Sequence, residues 1–190
     1  AQQYAALTRM YGDVQWQNTV ISDPNAPEVY GERTNEDVVM DSVLNDLNFA
    51  IANIESNTKD KTLWSKEMAL AMKSDICLYW GTYCKYRTQA DNGKAADLTL
   101  ANKFFQECVN ASEQLMNSGK FSLYPGTVVN GKTYTIYNSI DLSNNPEIIF
   151  FRNYEKDMVS HPASLPDYTC GSTTQKGITK DAIDAFLFRD

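Results

Sequence analysis

Residues 65–87 read SKEMALAMKSDICLYWGTYCKYR, and the number of sides on which this stretch is apolar decides the fold. Ser65 stands as an N-cap, Met68, Met72, Ile76, Tyr79 and Tyr83 form one stripe at helical spacing, and Leu70, Cys77 and Cys84 form another. A helix that is apolar on more than one side is packed between neighbours. The stretch is therefore expected inside a helical layer, with Tyr79, Trp80, Tyr83 and Tyr86 contributing to its core.

The flanking segments supply those neighbours. In RTNEDVVMDSVLNDLNFAIANIES (33–56), Thr34 with Asp37 three residues on makes a capping-box pattern, and Val39, Val43, Leu47, Ala50 and Ile54 fall along one face. In DLTLANKFFQECVNASEQLMNSG (97–119), Ala101, Phe105, Cys108, Ser112 and Leu115 repeat the pattern up to Gly119, the residue type suited to the left-handed position after a helix. KFSLYP (120–125) then leaves as a strand-like segment. At the front, Tyr4, Leu7 and Tyr11 stand at helical spacing. The first helix begins without a cap and ITKDAIDAFLFRD (178–190) stops without a tail, so the expectation is an internal fragment of a longer chain.

Past Pro125 the period changes. TVVNGKTYTIY (127–137) carries Asn130-Gly131 between β-formers and predicts a hairpin, and PEIIFFRNY (146–154) reads as a strand. Lys156 to Lys176 is a long polar loop, a place where binding residues concentrate, and Thr179 to Phe188 is a final helix presenting Ala182, Ile183, Phe186 and Leu187.

Paired helices raise the question of a repeat. Ala101, Phe105 and Cys108 reproduce the small, aromatic, small spacing of the second helix of a tetratricopeptide unit, although the loop TQADNGKAAD (88–97) exceeds the consensus. The fold expectation is mainly α, with tetratricopeptide-like helix pairs in an α-α superhelix, a small β-hairpin or strand excursion and long loops. It forms a single domain, with 1–119 the helical part, 120–155 short strands, 156–176 the loop and 177–190 the last helix.

Composition narrows the chemistry. Lys and Arg number 17 against 24 Asp and Glu, a net charge of −7, which argues against a broad surface for nucleic acid or anionic lipid. No run approaches the roughly 18 apolar residues of a membrane span, and the first residues lack the pattern of a signal peptide. The 4 cysteines show no CxxC or Cys/His spacing, so Cys77, Cys84 and Cys108 read as small core residues, with Cys170 in a loop and no metal site. DLSNN (141–145) and DNGKAAD (91–97) offer oxygens without EF-hand spacing and read as turns. His161 is the only histidine, and no GxSxG, P-loop or GxGxxG occurs. A glycosidase needs two carboxylates across the scissile bond, which any acidic chain supplies, so that reading stays as a rival while no catalytic residue or cofactor is assigned.

The residues fit a binder of sugars at least as well. A sugar ring shows an apolar C–H face ringed by hydroxyls, so its site combines exposed aromatic rings with Asn, Asp, Gln or Arg beside them. Tyr168, between Pro166 and Gly171, is the first choice, with Asp167, Tyr154 and His161 in or beside the same loop. Trp16, with Gln17 and Asn18, lies in another loop. Packing competes as the role of Trp16, and a strand end as that of Tyr154.

Taken in order, YGDVQW (11–16), RT (33–34), LYWG (78–81), SGKFSL (118–123), NNPEIIF (144–150) and DAFLFRD (184–190) resemble the successive motifs of the SusD/RagB family of nutrient-binding lipoproteins of Bacteroidetes. The resemblance spans essentially the whole chain, departing at Gln15, where the family favours proline, in the first helix, where Gln2-Gln3 stand without the family's arginine, and at the extra hairpin around Asn130-Gly131. It implies tetratricopeptide-like helix pairs and a lipid anchor in the outer membrane, outside this fragment, that leaves the protein exposed at the cell surface. It also implies a SusC-like TonB-dependent transporter as partner, and oligosaccharide as ligand, or peptide in some relatives, captured without catalysis. A cytoplasmic tetratricopeptide adaptor that cradles a partner's peptide is the alternative from another class.

Overall fold

In a computed structural model of the protein, the described residues are 1–124 and 141–154, together with Lys180 and Asp184. The hairpin at Asn130-Gly131, the loop 156–176 with His161, Asp167, Tyr168 and Cys170, and the apolar face of the last helix lie outside them. The chain divides into two compact units, Ala1–Phe151 and Arg152–Asp190. In the second, Lys180 and Asp184 are helical and form an i,i+4 ion pair, in agreement with the helix predicted there.

The first unit is mainly helical, as the apolar periodicity requires. Its elements are α1 (Gln2–Tyr11), a 3₁₀ turn (Pro27–Tyr30), α2 (Glu36–Asn53), α3 (Lys66–Tyr86), the single turn α4 (Gln89–Asn92) and α5 (Leu98–Asn117). α3 is the central helix. Its contacts with α5 run antiparallel, from Lys73–Glu107 to Gly81–Phe105, and those with α2 run antiparallel from Lys73–Asn48 to Arg87–Asp37. Helix-pair packing of this kind is compatible with a superhelical arrangement.

The core lies where α2, α3 and α5 face one another, with α1 across it. Met40, Val43 and Leu47 of α2, Cys77, Trp80 and Cys84 of α3, Ala101 and Phe104 of α5, and Ala5 of α1 are buried together. Burial of rings the size of Trp80 and Phe104 stabilises such a core by about 3–5 kcal/mol each relative to alanine. Phe104 lies one residue off the stripe read from the sequence and is more buried than Phe105. Cys77 and Cys84 are fully buried and Cys108 half-buried, and all are free thiols. Burial pushes the Cys77 and Cys84 thiols up to about 12.

Several local expectations change. The N-cap of α2 is Asn35, whose side chain accepts from the Asp37 N–H at 2.9 Å, because the Thr34 backbone is already used in an antiparallel bridge to Val14. Tyr79 and Tyr86 are exposed rather than core, since α2 and α5, the helices packed on α3, cover its other sides. In α1 the buried residues are Ala5 and Thr8, and Leu7 and Tyr11 face outward. The run 146–151 pairs with no strand among the described residues. Isolated bonds fasten it instead, from Ser122 N–H to Pro146 O at 3.2 Å and from Phe151 N–H to Lys61 O at 3.0 Å. Gly119 ends α5 with φ 64°, the left-handed conformation expected of it.

Candidate functional site

Four of the six segments singled out by their order in the sequence meet in pairs. Gly12, at φ 67°, turns the chain out of α1 so that Asp13 reaches α2, where its carboxylate accepts the Glu36 N–H at 2.8 Å. Thr34 N–H donates to Val14 O at 2.9 Å, and Trp16 N–H reaches Thr34 Oγ1 at 3.3 Å. The YGDV and RT segments are thus one structural joint. SGKFSL and NNPEIIF form another, through the Ser122–Pro146 bond and a Tyr124 N–H to Glu147 Oε2 bond of 3.1 Å. Lys61, itself buried, donates to the Asn145 carbonyl at 2.6 Å and clamps the same segment from the other side.

Each joint is backed by buried charge. Behind the first, Arg87 grips Asp37 with two hydrogen bonds of 2.8 and 3.1 Å, its Nε donates to Ala95 O at 3.0 Å, and Tyr83 Oη donates to Glu36 at 3.0 Å. Lys94 pairs with Asp13 at 2.8 Å and with Glu36 at 3.1 Å. The hydrogen bond from Lys94 holds the Asp13 carboxyl below the usual range, and the bond to Asp37 raises Arg87 further. Burial alone would lower Lys94, but its hydrogen bonds to Asp13 and Glu36 outweigh it. The long 88–97 connection supplies Lys94 and Ala95 to this cluster. Behind the second joint, Glu67 is buried and takes hydrogen bonds from Ser56 and from Lys120 at 2.6 Å. Burial would raise the Glu67 carboxyl, yet these donors bring it from 4.5 down to about 2.

Of the residues picked for ligand contact, Trp16 is half-buried against the core, its ring 4.4 Å from that of Tyr4. Gln17 beside it is held by Tyr4 Oη, which accepts the Gln17 N–H at 2.8 Å. Tyr154, in the second unit, is 39% exposed, with the Arg152 guanidinium 5.3 Å from its ring. A ring face beside a planar donor suits a sugar, which needs stacking and hydrogen bonding together. Asp167 and Tyr168 lie outside the described residues.

Other features escaped the sequence reading. Between α1 and α3 runs a groove of about 500 Å³, floored by Met72, Ile76 and Ile148. At its mouth Arg9 lies 4.0 Å over the Tyr79 ring and 3.2 Å from Asp75. Beyond Glu147 a second hollow, about 490 Å³, is formed by Met116, Phe121 and Leu123. The available signal was Glu147 itself, an acid set just before Ile-Ile-Phe. Among the described residues no cluster of His, Cys, Asp and Glu could hold a metal, and no helix is long and apolar enough to cross a membrane.

No family model, no curated protein and no solved structure matches the chain.

Proposed function

We propose that this protein is a cell-surface nutrient-binding protein of the SusD type, which captures an oligosaccharide and hands it to a SusC-like TonB-dependent transporter in the outer membrane. It binds without catalysis, its lipid anchor lies outside the present chain, and Tyr168, Asp167 and Tyr154 contribute to capture. The observation that supports this reading most is the pairing of the motif segments. YGDV fastens to RT and SGKFSL to NNPEIIF by hydrogen bonds. Gly81 of LYWG meets the Ala101 and Phe105 of the tetratricopeptide-like spacing. Segments that share an order with a family for reasons of architecture should hold one another in place, and the two fastened pairs support the reading on that ground. The exposed Tyr154 ring beside Arg152 adds the surface chemistry that a sugar requires.

Calorimetric titration with plant, host and microbial oligosaccharides tests the reading. Saturable binding of one glycan class, with no new reducing ends on incubation, is the expected result. Release of new reducing ends would move the protein to the glycosidases. Binding of peptides alone would move it to the peptide-capturing branch.

A further inference from the structure

Glu147 lines both apolar hollows. With it in one are Met72, Ile76 and Ile148, and in the other Met116 and Leu123, which are 70% and 84% exposed. Glu147 Oε2 accepts the Tyr124 N–H, and no cation pairs with this carboxylate among the described residues. The cations carried by the neighbouring segments are engaged elsewhere: Arg9 with Asp75, Lys61 with the Asn145 carbonyl, and Lys120 with Glu67. A carboxylate with no counter-ion among the described residues, lining two largely apolar hollows, is complementary to a chain carrying a cation between apolar side chains.

We infer that Glu147 and its two hollows form a docking surface for an extended segment of a partner protein, with a Lys or Arg at its centre and an apolar side chain two residues away on either side. In an extended chain, residues two apart point the same way and stand about 7 Å from one another, so one face of the segment presents apolar, basic and apolar groups in succession. The central cation pairs with Glu147 and the flanking side chains fill the hollows. The net charge of −7 favours approach of such a segment. The inference concerns a protein segment rather than a sugar, so it goes beyond the glycan reading and survives or fails independently of it.

The test titrates the whole chain with the peptide Leu-Ser-Arg-Ser-Leu, acetylated and amidated, and with its counterpart carrying Glu in place of Arg. The expected result is saturable binding of the Arg peptide, weakened roughly tenfold or more in Glu147→Gln, and preference for the Glu peptide in Glu147→Arg. Glu147→Gln keeps an oxygen for the Tyr124 N–H, and an unchanged circular dichroism spectrum shows that it folds. Absence of binding, equal binding of the two peptides, or wild-type affinity in Glu147→Gln would each overturn the inference. Binding that requires free peptide termini would overturn it as well, because it would mark a captured peptide rather than a docked partner segment.

Discussion

Gly81 of α3 faces the Phe105 ring of α5 so closely that a Cβ at position 81 would sit 2.7 Å from Phe105 Cδ1 and 3.1 Å from Ala101 O. The close approach of α3 and α5 depends on the missing side chain. Gly81→Ala should therefore destabilise the protein despite the higher helix propensity of alanine, by about 1–3 kcal/mol for overpacking. A urea unfolding curve should show a lower midpoint at unchanged slope. A midpoint equal to or above that of the wild type would contradict the close approach.

The Arg87 side chain is 4% exposed and faces the Glu36 and Asp37 carboxylates. Arg87→Met takes the two-pronged grip from Asp37, which is 26% exposed, while the buried Glu36 keeps Lys94 and Tyr83, so a loss of about 2–3 kcal/mol is expected, short of the ~3–5 kcal/mol of a fully buried pair. Arg87→Lys keeps the charge but cannot reproduce the two-pronged grip on Asp37, so it should fall between the two. Thermal or urea unfolding of the three proteins gives the ranking directly, and a tolerated Arg87→Met would show that the cluster contributes little.

Glu67 has its carboxyl held at about 2 in the folded protein, against an ordinary value of 4.5. A carboxyl depressed by folding adds stability that is complete above its unfolded value and is lost as pH falls through the folded one. Wild-type stability should thus decline between about pH 4.5 and pH 2, and Glu67→Gln should lack this part of the decline while being less stable at neutral pH. Lys120→Met removes the main donor and should reduce the same pH-dependent contribution. Parallel stability curves for wild type and Glu67→Gln would refute the assignment.

Cys77 and Cys84 are fully buried, and burial raises both thiols to about 12. With no thiolate and no access, neither should react with a thiol reagent in the folded protein, and both should react once denaturant unfolds it. Mass spectrometry of the modified peptides distinguishes them from the remaining cysteines. Labelling of Cys84 under native conditions would mean that α3 opens away from α2.

On the proposed glycan-capture reading, Tyr168→Ala should weaken affinity for the sugar by roughly tenfold, as expected of a lost stacking ring worth about 1–1.5 kcal/mol. Equal affinity of mutant and wild type would remove Tyr168 from the site.

What the sequence disclosed follows from which forces are local. Helix positions, the double-sided burial of 65–87 and the Gly119 exit rest on periodicity and backbone preference, both written within a few residues. The N-cap of α2 was misread because Thr34 and Asn35 are both good caps, and the choice between them is made by Val14, twenty residues upstream. Tyr79 and Tyr86 were misjudged because helical spacing gives a face without saying whether a neighbour covers it. The 146–151 run has β-forming residues, but it is held by Lys61 and Ser122, which no periodicity connects to it. The same long-range placement hid Glu147 and its hollows, whereas the aromatic residues near the loop were visible by composition alone.

The most direct measurement is calorimetric titration of the protein against a panel of oligosaccharides, with the glycan products assayed in the same samples. Saturable binding of one glycan class without cleavage is the outcome expected of a surface nutrient-capture protein. Silence across all the sugars, or hydrolysis of any of them, would contradict it.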